Sequence, residues 1–141
     1  MTITAGEAVV SRVAKIMDNL QICAPRAAQA AVARALPLLG DWRAGNRVEI
    51  ARRAAALETA MSALPEWRVE AIGAYFAYVR HPARSAPSAK VAEVLAKRAG
   101  IVCLPGEYFG EGQSDFLRFA FANASAERIA ELPARLRKLS F

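Results

Sequence analysis

The 141-residue chain has no long hydrophobic run. No apolar stretch reaches the ~18 residues of a membrane span, and no charged segment followed by an apolar signal core opens the chain. Cysteine is scarce: Cys23 and Cys103 sit in apolar contexts, with no CxxC or nearby histidine spacing. This excludes a disulfide framework and a zinc finger, and fits buried free thiols in a reducing cytoplasm, the expected location. Histidine occurs once, as His81 before a proline, with no serine or cysteine partner nearby. Paired carboxylates at catalytic spacing and metal-ligand clusters are also missing, so no catalytic or metal-binding residue is assigned. Acidic residues number 13 against 19 basic ones, giving a net charge of +6 carried mostly by arginine. The two signs interleave, as in Glu49-Ile-Ala-Arg52 and Glu66-Trp-Arg68, as they do on a solvated helix surface. With no Gly-aromatic RNA-binding motif, nucleic acid is not an expected partner.

What is present is a strongly apolar sequence, 55% hydrophobic, of single-domain length. A chain of this size buries roughly 68% of its unfolded surface, and disorder is not expected. Val9, Val13, Ile16, Met17 and Leu20 recur at helical spacing. An extended link, Gln21-Ile-Cys-Ala, leads to Pro25, which suits the first turn of a second helix ended by Pro37 and Gly40. Asp41 suits the cap of a third helix, about Trp42 to Leu64. Val69 to Val79 reads as one strand, apolar on both faces and so covered on both, with Gly73 marking a bulge or close approach. Ser88 suits the cap of a helix that Gly100 closes, and Ser125 that of a last helix which Pro133 kinks or splits. The spacing predicts an α+β domain over 1–141: a small mixed or antiparallel three-stranded sheet (about 69–79, 101–104 and 116–122) packed against several helices.

The stretch GIVCLPGEYFGEGQSDFLRFAFAN, Gly100 to Asn123, carries most of the information. Gly106, Gly110 and Gly112 resemble a phosphate cradle, but no Lys-Ser/Thr and no helix follow, so a P-loop is excluded and a tight inter-strand loop remains. Ser88-Ala-Lys90 loosely resembles the pairs around Schiff-base lysines, yet Lys90 falls in the first turn of an exposed helix with no desolvating pocket. In the last strand, alternation puts Leu117, Phe119 and Phe121 on one face and Phe116, Arg118 and Ala120 on the other. The bulky face suits a core. Arg118 on the opposite face is either a snorkelling or ion-paired structural residue or a contact for a carboxylate ligand.

Ala99-Gly-Ile-Val-Cys-Leu-Pro-Gly-Glu-Tyr-Phe-Gly110 followed by Asp115-Phe-Leu-Arg118-Phe-Ala-Phe-Ala-Asn123 resembles the C-terminal part of class I/II aminotransferases, the pyridoxal-phosphate enzymes of the aspartate aminotransferase fold. Pro25 with Gln29, Arg52-Arg53 and Ile72-Gly73-Ala74-Tyr75-Phe76 fall in the same order. The resemblance implies the small domain of such an enzyme, with Arg118 pairing bidentately with the substrate α-carboxylate, a match of planar fork to carboxylate that lysine's point charge lacks. It implies amino transfer between an amino acid and a 2-oxo acid, and a homodimeric parent. None of Lys15, Lys90, Lys97 and Lys138 has the family's Schiff-base motif. The expectation is therefore a C-terminal fragment beginning just past the large domain, with no cofactor bound to this chain and no activity alone. Apolar surface uncovered around Tyr75, Tyr78 and Phe109 implies self-association. The alternative is a stand-alone interaction or regulatory domain that kept the fold.

Overall fold

The amphipathic spacing of the first residues produces helix α1, Glu7–Leu20, as expected. A computed structural model describes residues 4–20 and 23–140, so Gln21 and Ile22 of the expected link lie outside the described residues. The chain divides into two units, Met1–Ala44 and Gly45–Phe141. In the first, α2 spans Arg26–Ala35 and a 3₁₀ turn covers Leu36–Leu38. Pro25 is the N-cap rather than a first-turn residue, and the Gln29 amide donates back to the Ala24 carbonyl at 2.6 Å. Neither α1 nor α2 buries a residue.

Helix α3, Gly40–Ser62, begins at Gly40, so that glycine opens a helix instead of stopping one. In the second unit it presents Leu57, Ala60 and Met61 to the core. The region 69–79 is the main departure from the sequence reading. It is not one strand but a hairpin, β1 (Arg68–Gly73) and β2 (Phe76–Arg80), with Gly73 paired to Phe76 across the two residues Ala74 and Tyr75. Ala74 takes the left-handed φ of 48°, which costs an L-residue about 1–2 kcal/mol and which sequence rules assign to glycine or asparagine. The apolar run therefore concealed a turn. The bulge lies between Val69 and Ala71 rather than at Gly73. One face of β2 is covered, not both: Ala77 and Val79 are fully buried, whereas Phe76 is exposed.

Helix α4, Ser88–Val94, continues as a π-helical turn to Ala99, and Gly100 closes it at a left-handed φ of 63°. Strand β3 is only Leu104–Pro105, shorter and later than the expected 101–104. The chain needs Ile101 elsewhere: its N–H bonds the Leu95 carbonyl at the helix end, and its side chain is buried. A 3₁₀ turn, Gly106–Phe109, interrupts the expected loop. Strand β4 spans Phe116–Ala120, and a 3₁₀ turn takes over at Phe121–Asn123, ending the strand earlier than the expected 122. Among the described residues the sheet has four strands in the order β1-β2-β4-β3, every neighbouring pair antiparallel. Helices α5 (Ala126–Ala130) and α6 (Leu132–Leu136) follow. Ser125 caps α5 through its hydroxyl, which accepts from the Arg128 N–H, and Pro133 starts a new helix, splitting the apolar pattern in two.

The core lies on one side of the sheet. Leu117, Phe119 and Phe121 pack there with Ala77, Val79, Leu57, Leu95 and Ile129. Each large side chain removed from water in this way contributes about 1.5–3 kcal/mol. That burial fixes the register, and the register leaves Phe76, Tyr78, Phe116 and Arg118 on the opposite, open face.

Candidate carboxylate site

Arg118 is half-buried in the middle of β4, where Tyr78 stands directly opposite on β2 and Leu104 directly opposite on β3. Phe76, two residues before Tyr78 on β2, is the diagonal neighbour on the same face, within reach of a long side chain. The guanidinium carbon sits 4.2 Å from the Phe76 ring centroid and 4.6 Å from that of Phe109. Both distances are cation–π contacts with the negative ring face. Among the described residues Arg118 makes no ion pair and no hydrogen bond. The other two sheet arginines are spent: Arg68 pairs with Glu70, and Arg80 pairs with Glu70 and Asp115 and covers the Phe116 ring at 4.4 Å. Of the readings left open for Arg118, ion pairing within the described residues is thus the one the geometry does not support.

The aromatic surroundings continue outward. Tyr78 stacks on Phe116 with centroids 5.0 Å apart, and meets Phe109 edge-on at 6.4 Å. Burial pushes the Tyr78 phenol pKa up, and its hydroxyl donates to Gln113 Oε1 at 2.9 Å. Arg118 also lines a cavity of about 500 Å³ that runs past Leu104 to Asn123, Arg128 and Arg135. No carboxylate lines it. Arg135 is engaged by Glu131 at 2.7 Å.

The remaining sequence candidates are structural. Lys90 is exposed and pairs with Glu93 at 2.8 Å; Lys97 does the same at 2.6 Å. Hydrogen bonds from these two ammonium groups hold the Glu93 pKa down, to about 2. Lys15 and Lys138 are exposed as well, so no described lysine offers the desolvated amine that a Schiff-base cofactor needs. The described residues do not fit pyridoxal phosphate. Ser88 does not cap its own helix: its hydroxyl, and the Ala89 N–H, donate to Glu107 Oε2 at 3.1 Å each. Glu107 thereby caps α4 from the loop. His81 is buried with Nε2 3.0 Å from the Ser114 carbonyl, while its Nδ1 has no partner among the described residues. The two thiols are not both buried as expected: Cys23 is exposed, whereas Cys103 is half-buried and its thiol pKa is raised by burial to about 12, which keeps it protonated at neutral pH. Arg52 and Arg53 both pair with Glu49, and Arg53 also donates to the Ala122 carbonyl at 2.5 Å, tying α3 to the chain beyond β4. Gly106 is a matter of space: a Cβ there would lie 2.2 Å from the Gln113 carbonyl oxygen.

Phe76 and Phe109 are the site residues that the sequence did not assign. Phe109 stood in the Phe-Gly step of the motif, but nothing in the spacing aimed it at Arg118.

An antiparallel sheet with helices on one side and, on the other, an arginine unpaired among the described residues defines an α+β domain with a candidate anion site. The family model for aminotransferase class I and II matches residues 2–136, and the chain belongs to that family. Solved structures agree in fold. A Pyrococcus protein superposes with a TM-score of 0.75 at 23% identity, covering 96% of this chain and 35% of its own. A Methanococcus jannaschii protein, described as similar in its active site to kynurenine aminotransferases, gives 0.71 at 24% identity, covering 95% and 36%. Cystalysin from Treponema denticola, which contains pyridoxal 5'-phosphate, gives 0.70 at 22% identity, covering 96% and 35%. The chain therefore spans about a third of the length of these proteins. No curated protein sequence matches it. No helix of the described residues is long and apolar enough to cross a membrane.

Proposed function

We propose that the chain is the C-terminal domain of a pyridoxal-phosphate-dependent aminotransferase, and that Arg118 grips the substrate's α-carboxylate. On this reading the full-length enzyme, a homodimer, moves an amino group between an amino acid and a 2-oxo acid. The chain alone is inactive, because its described lysines all lie in solvent. The observation that carries the reading is the guanidinium of Arg118, half-buried between aromatic side chains and without a carboxylate partner among the described residues. Holding a charge there unpaired costs free energy, which a ligand carboxylate offsets with two charge-assisted hydrogen bonds.

The test is a titration of the isotopically labelled chain with sodium acetate at constant ionic strength, with chloride as control. The Arg118 Nε–Hε resonance is expected to shift saturably with a Kd on the order of tens of millimolar. Pyridoxal phosphate added to the same sample should give no stoichiometric aldimine band. A resonance that responds equally to chloride, or a band lost on replacing one particular lysine, would sink the reading.

A second reading, an interaction domain, draws on the exposed apolar side chains of the first unit, Val9, Ile16, Leu20 and Val32 among them. With Tyr75 and Phe109 they support self-association of the isolated chain. Sedimentation velocity should show dimers or larger species as concentration rises, and a monomer throughout would count against it.

A further inference from the structure

We propose that Phe109 and Phe76 are positioning residues that set the plane of the Arg118 guanidinium, and that the loop bearing Phe109 is latched for this purpose by Glu107. The inference rests on the reading of Arg118 as a carboxylate ligand and names what governs its selectivity. The guanidinium carbon lies over both rings, 4.2 Å from the Phe76 centroid and 4.6 Å from that of Phe109. On this proposal the rings cover the guanidinium and leave an acid its N–H edges, the direction in which a planar carboxylate makes two parallel hydrogen bonds. A free arginine side chain would first have to lose its rotamer freedom, a cost that the two rings remove in advance.

The two rings are held differently. Phe76 is fixed by the strand, since Ala77 beside it is fully buried. Phe109 belongs to a loop, and that loop is tied at several points. Glu107 accepts from Ser88 Oγ and the Ala89 N–H. Tyr78 donates to the Gln113 side chain, and the Phe116 N–H to the Gln113 carbonyl at 3.1 Å. Gly106 lets the two ends of the loop touch. The clamp is therefore set by contacts well outside the ligand site, and releasing Glu107 loosens Arg118 without changing any residue that touches an acid.

The experiment uses the labelled 141-residue chain with Phe109→Ala, Phe109→Tyr and Glu107→Ala. In the unaltered chain the Arg118 Nε–Hε signal should lie upfield, shielded by the rings. Phe109→Ala should move it downfield and weaken acetate binding about threefold, while the amide spectrum of the core stays in place. Phe109→Tyr should restore both, and Glu107→Ala should reproduce both losses with the ring still present. Because Phe109 is half exposed, its removal leaves the core intact. An Nε–Hε signal unmoved by Phe109→Ala overturns the inference, and so does a moved signal with unchanged acetate affinity. If acetate fails to bind the unaltered chain, the carboxylate reading falls, and the ring-current shifts alone decide whether the rings orient Arg118.

Discussion

Arg118→Lys, placed in a full-length enzyme that carries this chain, is expected to lower kcat/KM about 10- to 100-fold toward its amino-acid substrate. Lysine keeps the positive charge, so the loss measures geometry rather than charge. On the proposed reading the guanidinium offers two parallel donors to the two carboxylate oxygens, while its carbon lies over the rings of Phe76 and Phe109. An ammonium offers one point of contact and stacks on neither ring in the same way. The loss of one charge-assisted hydrogen bond, about 1.5–3 kcal/mol, sets the expected range. A loss in kcat/KM with the same loss in kcat would place the interaction in the transition state, whereas a change in KM alone would make it uniform binding. An unchanged kcat/KM removes Arg118 from the assigned role.

Gly106→Ala is expected to destabilise the chain by about 3 kcal/mol, enough to lower its Tm by roughly 10 °C. The added methyl would lie 2.2 Å from the Gln113 carbonyl oxygen, 2.8 Å from the Phe116 carbonyl oxygen and 2.9 Å from the Tyr78 hydroxyl. Two of these atoms are backbone and cannot swing aside. Moving Gln113 instead breaks its bonds with the Phe116 N–H and the Tyr78 hydroxyl, which anchor the start of β4. The glycine of the Pro105-Gly106 step is thus required by crowding, since its φ is not in the left-handed range. A thermal melt matching that of the unaltered chain would show that the loop accommodates the methyl. A stable variant with displaced Arg118 resonances would show instead that the strain is relieved through Phe109.

The hairpin shows how far local pattern carries. Val69 to Val79 is apolar apart from Glu70 and rich in strand formers, and its turn falls on Ala74 and Tyr75, which carry no turn signature. Only the pairing of Val69 with Val79 and Ile72 with Ala77 reveals the reversal. Pairing competes with local preference at Ala74 and wins, since a paired strand contributes more than one left-handed residue costs. Ser88 is similar: the serine looks like a cap, but Glu107, distant in sequence, takes the capping position. The α4 stop at Gly100, the Ser125 cap and the break at Pro133 were legible, because each depends on one residue's own backbone chemistry.

By itself the sequence determined that Leu117 and Phe119 would share one face of the strand and Arg118 the other, because side chains alternate along any strand whatever it pairs with; Phe121 is buried too, but from the 3₁₀ turn beyond the strand. It also carried the motifs that place the chain among class I and II aminotransferases. Tertiary structure alone decided what surrounds that arginine. Phe76 arrives from a strand that has to pair in register, and Phe109 from a loop that has to be latched to a helix. Contacts between residues far apart in the chain exist only once long-range pairing has overcome its entropy cost, and no spacing along the sequence encodes them.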